Sequence, residues 1–99
     1  MKKLLFLSAL MVIVFSCADK KSKTASIDAK KIYKQNCVLC HGIDGKLGLN
    51  NSKDLTKSPL TLDERVAIIT SGKGTMTPFG AILSADEVKA VAAYTFKLK

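Results

Sequence analysis

The chain has 99 residues, 47% of them hydrophobic, with 16 Lys and Arg against 8 Asp and Glu and a formal net charge of +8. That length makes one small domain at most, which excludes a multidomain enzyme, a large α/β fold and a polytopic membrane protein. A core of this size is marginal, and scaffolds like it usually need a disulfide, a metal or a covalent cofactor as a staple.

Residues 1–16 read as a targeting segment: Lys2 and Lys3 precede an apolar run from Leu4 to Phe15 broken only by Ser8. The run falls short of the roughly 20 apolar residues that a bilayer-spanning helix needs. It fits the hydrophobic region of a secretory signal, to be removed on export. Removal would take Lys2 and Lys3 with it, leaving 83 residues and a net charge of +6.

Three cysteines, Cys17, Cys37 and Cys40, are an odd count for an exported chain. Cys17 directly follows the apolar run, in Val14-Phe15-Ser16-Cys17, which resembles the lipobox of bacterial lipoproteins. A cleaved, acylated Cys17 would anchor the chain, because two acyl chains hold where one does not. Ordinary cleavage nearby would instead leave Cys17 as a free thiol, a liability in an oxidising space. Cys17 and the Lys-rich residues up to 26 then form a solvated tether. Nine residues of it reach about 16 Å, so the domain at residues 27–99 would stay close to the membrane.

From Ile27 to about Cys40 the apolar spacing predicts a helix, with Ser26 as its N-cap. It ends in Cys37-Val38-Leu39-Cys40-His41, the pattern of c-type haem attachment. Positions i, i+3 and i+4 share a helix face. Both thiols and the imidazole can therefore meet one flat cofactor, the sulfurs forming thioethers and His41 ligating the iron. Two alternatives stay open on the motif alone. A thioredoxin-type redox pair would want a βαβ context, and no such pattern is present. A zinc site would need four ligands, where Cys37, Cys40 and His41 supply three.

Ile43 to Leu60 is rich in Gly, Asn, Asp, Ser and Lys. A loop that long suits a chain wrapping a large cofactor, with Leu47, Leu49, Leu55 and Leu60 facing inward. Thr61-Leu62-Asp63-Glu64 is a capping box opening a helix that buries Leu62, Val66 and Ile69 and stops at Ser71-Gly72. A second loop, Lys73 to Leu83, contains Met76 between Gly74 and Pro78. With Met1 and Met11 in the targeting segment, Met76 is the methionine left to ligate a haem iron, and His41 is the single histidine of the chain. Most methionines are gap-filling core residues. Loop placement beside glycines and a proline favours ligation here, and a thioether raises the reduction potential. Ser84-Ala85-Asp86-Glu87 caps a last helix to about Phe96 that buries Val88, Val91, Ala92 and Thr95. The chain is thus all-α, with three main helices and two long loops around one covalent haem.

The ordered set resembles class I cytochrome c in its small bacterial monohaem form. It comprises Ala29-Lys30-Lys31-Ile32-Tyr33, Cys37 to Gly42, Asp44-Gly45, Met76 with Pro78-Phe79, and Val91-Ala92-Ala93-Tyr94. The resemblance implies crossed first and last helices with Tyr33 and Tyr94 packed at the crossing. Ala29 stands where a glycine usually permits close contact, implying a slightly wider crossing. Lys53 stands where many relatives have a proline, which leaves open the backbone acceptor for the second imidazole nitrogen. Thr77 separates Met76 from Pro78, as in some relatives.

The function implied is outer-sphere transfer of single electrons between respiratory partners by an exported, membrane-anchored monomer facing the periplasm, and not catalysis. Paired carboxylates, a Ser/His set and a phosphate loop are all absent from the sequence. A basic surface of Lys30, Lys31, Lys34, Lys46, Lys53, Lys57, Arg65, Lys73 and Lys89 would steer the chain to acidic redox partners and not to nucleic acid. A haem-based ligand sensor, a peroxidase-like module in which Met76 leaves the iron, and a subunit of a larger oxidoreductase complex are the rival functions.

Overall fold

A computed structural model describes residues 26–99, so the targeting segment, Cys17 and nearly all of the tether lie outside the described residues. Four helices follow in order: α1 (Ala29–Asn36), α2 (Val38–His41), α3 (Leu62–Ser71) and α4 (Ala85–Thr95), with a 3-10 turn at Leu49–Asn51. The one extended pairing among the described residues is an isolated antiparallel bridge between Lys73 and Met76. The all-α expectation stands, and three of its details change.

The first helix starts later than Ser26 predicts. Asp28 is the N-cap, its Oδ1 accepting from the Lys31 backbone N–H at 3.1 Å. A carboxylate is both a good cap acceptor and a favourable charge at the positive end of a helix, so it wins over the serine two residues earlier. The same helix breaks before Cys40. Cys37 leaves helical geometry at φ −116°, ψ −30°, separating α1 from α2. The i to i−4 hydrogen bonding still crosses the break, from Cys37 N to Tyr33 O and from His41 N to Cys37 O, both 2.9 Å.

The two capping boxes are present in full. Thr61 Oγ1 accepts from Glu64 N at 3.2 Å while Glu64 Oε2 accepts from Thr61 N at 3.1 Å. Ser84 and Glu87 repeat the reciprocal pair at 3.1 and 2.9 Å. These start α3 and α4 where the sequence places them. Gly72 ends α3 at φ +71°, a left-handed conformation that costs a glycine little.

The core is small. Its buried apolar side chains are Ile32 and Tyr33 of α1, Ile69 of α3, and Val88, Val91 and Ala92 of α4. Both α1 and α3 pack on α4. At the first crossing the Tyr33 and Tyr94 rings sit 5.3 Å apart at 48°. A tilted aromatic pair of this kind adds about 1 kcal/mol beyond its area. On α4 the face predicted from spacing is the face buried, Thr95 included. On α3, Leu62 and Val66 are half-buried beside Ile69, and a residue absent from the expected face, Arg65, is buried at 7% exposure. Arg65 therefore leaves the basic surface, whose eight lysines are all exposed.

Ser84→Ala removes one half of the α4 capping box and should lower unfolding stability by about 1 kcal/mol, read as a fall in the denaturant midpoint at constant slope.

Candidate cofactor site

Between α1, α3, α4 and the two long loops lies a cavity of about 790 Å³. Tyr33 and Cys37 enter its wall from α1 and the break that follows, and His41 from α2. Ile68, Ile69 and Arg65 come from α3, Val91 and Thr95 from α4, and Leu55, Leu60 and Met76 from the loops. Cys37, His41 and Met76, separated in sequence by up to 39 positions, are thus brought to one space. Cys40 is half-buried but does not form part of the wall. Of the leucines expected to face inward, Leu55 and Leu60 do so, whereas Leu47 and Leu49 are 58% and 46% exposed.

His41 has a defined orientation. Its Nδ1 lies 3.2 Å from the Lys53 carbonyl oxygen, so Nδ1–H donates there and Nε2 is left as the free lone pair. The sequence could not nominate this acceptor, because a backbone carbonyl is present in every residue. A lysine supplies it as well as a proline would. Burial pushes the imidazole pKa below its ordinary value, with the Lys53 hydrogen bond acting the other way. The neutral form, the one that can ligate a metal, is thereby favoured at neutral pH. Burial also raises the Cys37 thiol to about 11. The Tyr33 hydroxyl, pushed up to about 12 by burial and then by the nearby Cys37, donates to the Gly42 carbonyl at 2.7 Å. That bond ties α1 to the residue following His41.

Met76 is braced from two sides. Its N–H donates to Lys73 O at 3.0 Å, and the chain then returns to the end of α3 through Phe79 N to Ile69 O at 2.8 Å and Gly80 N to Thr70 O at 3.1 Å. The return runs so close to Gly72 that a Cβ there would lie 2.6 Å from Met76 O and 2.9 Å from Pro78 N. The two loops also touch each other: Thr75 Oγ1 donates to Asn50 O at 3.2 Å. Asn50 and Asn51 hold left-handed φ values of +52° and +62°, which asparagine tolerates better than most residues.

The donor set and walls fit a haem. A large, mainly apolar space suits a flat macrocycle. A thiol, a neutral imidazole and a thioether line it, and the second thiol sits three residues from the first. A single buried cation, Arg65, suits a group with anionic substituents. No group of three or more His, Cys, Asp and Glu side chains among the described residues could hold a bare metal ion, so a zinc reading finds no support there.

Comparison with known proteins agrees with this chemistry. The family model described as cytochrome C oxidase, cbb3-type, subunit III matches residues 26–94. A cytochrome c6 of Rippkaea orientalis (strain PCC 8801 / RF-1) is 32% identical, covering 95% of this chain and 91% of its own. One from Leptolyngbya boryana is 37% identical, covering 65% of this chain and 81% of its own. Among solved structures, the KustC0563 c-type cytochrome superposes with a TM-score of 0.65 at 29% identity, over 74% of this chain and all but 1% of that one. Cytochrome c6 from the diatom Phaeodactylum tricornutum gives 0.59 at 31% identity, over 68% and 85%. With this architecture, this set of cavity side chains and these relatives, the chain belongs to the class I, monohaem c-type cytochromes, whose cofactor is a covalently bound haem c.

Proposed function

We propose that this protein is a single-electron carrier in which Cys37 and Cys40 hold the haem through thioethers while His41 and Met76 ligate its iron. The convergence of Cys37, His41 and Met76 on one largely apolar cavity carries the reading. When bound, the haem supplies a one-electron iron couple. The rest is done by the chain. Lys53 O fixes the His41 tautomer, so Nε2 would be the nitrogen free to hold the iron. The Gly72-braced loop presents the Met76 sulfur on a short, pinned segment. With His41 and Met76 both holding the iron, no place would be left for a substrate, and electrons would move outer-sphere. Val91, Ile69 and the loop leucines, which line the cavity, would keep water away from the bound group.

Recognition of partners falls to the exposed lysines. Lys53, Lys57 and Lys73 line the cavity itself, and Lys30, Lys31, Lys34, Lys46 and Lys89 are exposed elsewhere on the surface. Cations at the rim steer a protein with an acidic face toward the opening. The description of the matching family model, a subunit of a cytochrome oxidase, favours respiratory partners. Acylation of Cys17 after removal of residues 1–16 would hold this carrier at the periplasmic face of a membrane, with residues 17–26 as the tether. No helix among the described residues is long and apolar enough to cross a membrane, so anchoring would fall to that lipid.

Pyridine haemochrome analysis of protein matured in its own host should return one haem per chain that resists acid extraction; a folded, colourless protein would end this reading. Gly72→Ala should displace the Met76 segment without unfolding α3 or α4. Its signature is loss of the far-red sulfur-to-iron band at a lower temperature than wild type, with carbon monoxide binding faster to the ferrous form. Cys17→Ser should move the protein from the membrane fraction to the soluble one, and full retention in the membrane would remove the anchor from the proposal.

A further inference from the structure

Asn50 and Asn51 are, among the described residues, the two that hold a positive φ without being glycine, and they do so in succession. Such a backbone persists only where its surroundings over-determine it. Here the surroundings are hydrogen bonds to the segment's own carbonyls. Ser52 folds back on Leu49 O, through its N–H at 3.0 Å and its hydroxyl at 2.6 Å. Lys53 O accepts from His41 Nδ1 at 3.2 Å, and Asn50 O accepts from Thr75 Oγ1, also at 3.2 Å. One tight turn thus serves two distant segments, and residues 50–53 and 73–76 both line the cavity.

Thr75 directly precedes Met76, and its bond is the one hydrogen bond joining the two long loops among the described residues. Downstream, Met76 is secured to α3 through Phe79 and Gly80. Upstream it has little else. Its own N–H bonds to Lys73 O within the same turn, and no atom lies within 4 Å of the place a Cβ on Gly74 would occupy. Without the Thr75 hydroxyl, the upstream half of this loop would be free to swing away from the cavity.

We propose that Thr75 is a positioning residue for Met76, and that residues 50–53 are one strap holding both ligand segments, His41 by Lys53 O and Met76 by Asn50 O. The proposal rests on the haem reading above and adds to it the device that sets the two segments relative to each other. Asn50 and Asn51 are then present for their backbone, since asparagine accepts a left-handed φ that a branched side chain resists.

The test uses haem-loaded protein. Thr75→Val keeps the shape of the side chain and removes the donor. Loss of one neutral hydrogen bond is worth about fivefold in an equilibrium, so carbon monoxide should bind the ferrous form about fivefold faster. The far-red sulfur-to-iron band should also vanish at a lower temperature. Thr75→Ser keeps the hydroxyl and should behave as wild type. Asn51 makes no hydrogen bond to either ligand segment, yet Asn51→Val should loosen both. It should speed carbon monoxide binding and quicken solvent exchange of the His41 Nδ1 proton, read by NMR in the ferrous protein. Asn51→Gly, at ease at positive φ, should do neither. Because Thr75→Val and Asn51→Val break the same tie, their combined rate increase should fall short of the product of the two. Ser84→Ala, destabilised far from the loops, should keep the wild-type rate and band. An unchanged rate in Thr75→Val, a serine variant as fast as the valine one, an unmoved His41 proton in Asn51→Val, glycine acting as valine at position 51, or fully multiplicative effects would each overturn the proposal. Should Asn51→Val fail to accumulate, the comparison of valine with serine at Thr75 decides. Absence of covalent haem from the wild type would defeat the haem reading itself, and the haemochrome assay gives that result independently of any variant of the strap.

Discussion

The described domain does not have enough of its own substance to fill its interior. Its buried apolar side chains number six, and they gather where α1 and α3 cross α4. Beside them lies a space of about 790 Å³ whose walls include two long loops with little regular structure. A void of that size between so few elements would lose the dispersion contacts of every side chain lining it. A haem held there would therefore be a structural part of the protein, supplying the contacts that the loops lack on that side. This constraint explains why the chain uses many short hydrogen-bonded turns where a larger protein would use more core. Leu55 N to Gly45 O, Leu47 N to His41 O and Thr75 Oγ1 to Asn50 O each cinch a loop at one point.

The parts legible in the sequence are those governed by local rules. A capping box is four residues long and is recognised without knowing what surrounds it, so the starts of α3 and α4 could be placed at Thr61 and Ser84. The buried face of α4 follows from spacing because nothing polar interrupts it. The haem motif and the place of Met76 in the cavity wall could be anticipated because so few alternatives exist: the chain has one histidine, and two of its three methionines fall within the first eleven residues.

What escaped the sequence depends on contacts made across long separations or through the main chain. Arg65 looks like a surface cation on a capped helix, and only Thr95, thirty residues later, and two loop carbonyls reveal that it turns inward. Lys53 as the His41 acceptor carries no side-chain signal. The break at Cys37 is a small backbone departure within otherwise continuous hydrogen bonding, invisible to a count of apolar positions. Asp28 outcompetes Ser26 as a cap by one charge and two positions, a margin that pattern reading does not resolve.

Lys53 also divides its labour between its own atoms. Its carbonyl points at the imidazole while its ammonium stem is exposed at the rim. A residue of almost any type could supply that carbonyl, provided the backbone kept its path. The side chain at this position is consequently free to change with the partner while the orientation of His41 stays as it is. A lineage carrying this chain could redraw the charge at the mouth of the cavity, and so change whom it serves, without disturbing the imidazole's hydrogen bond beneath.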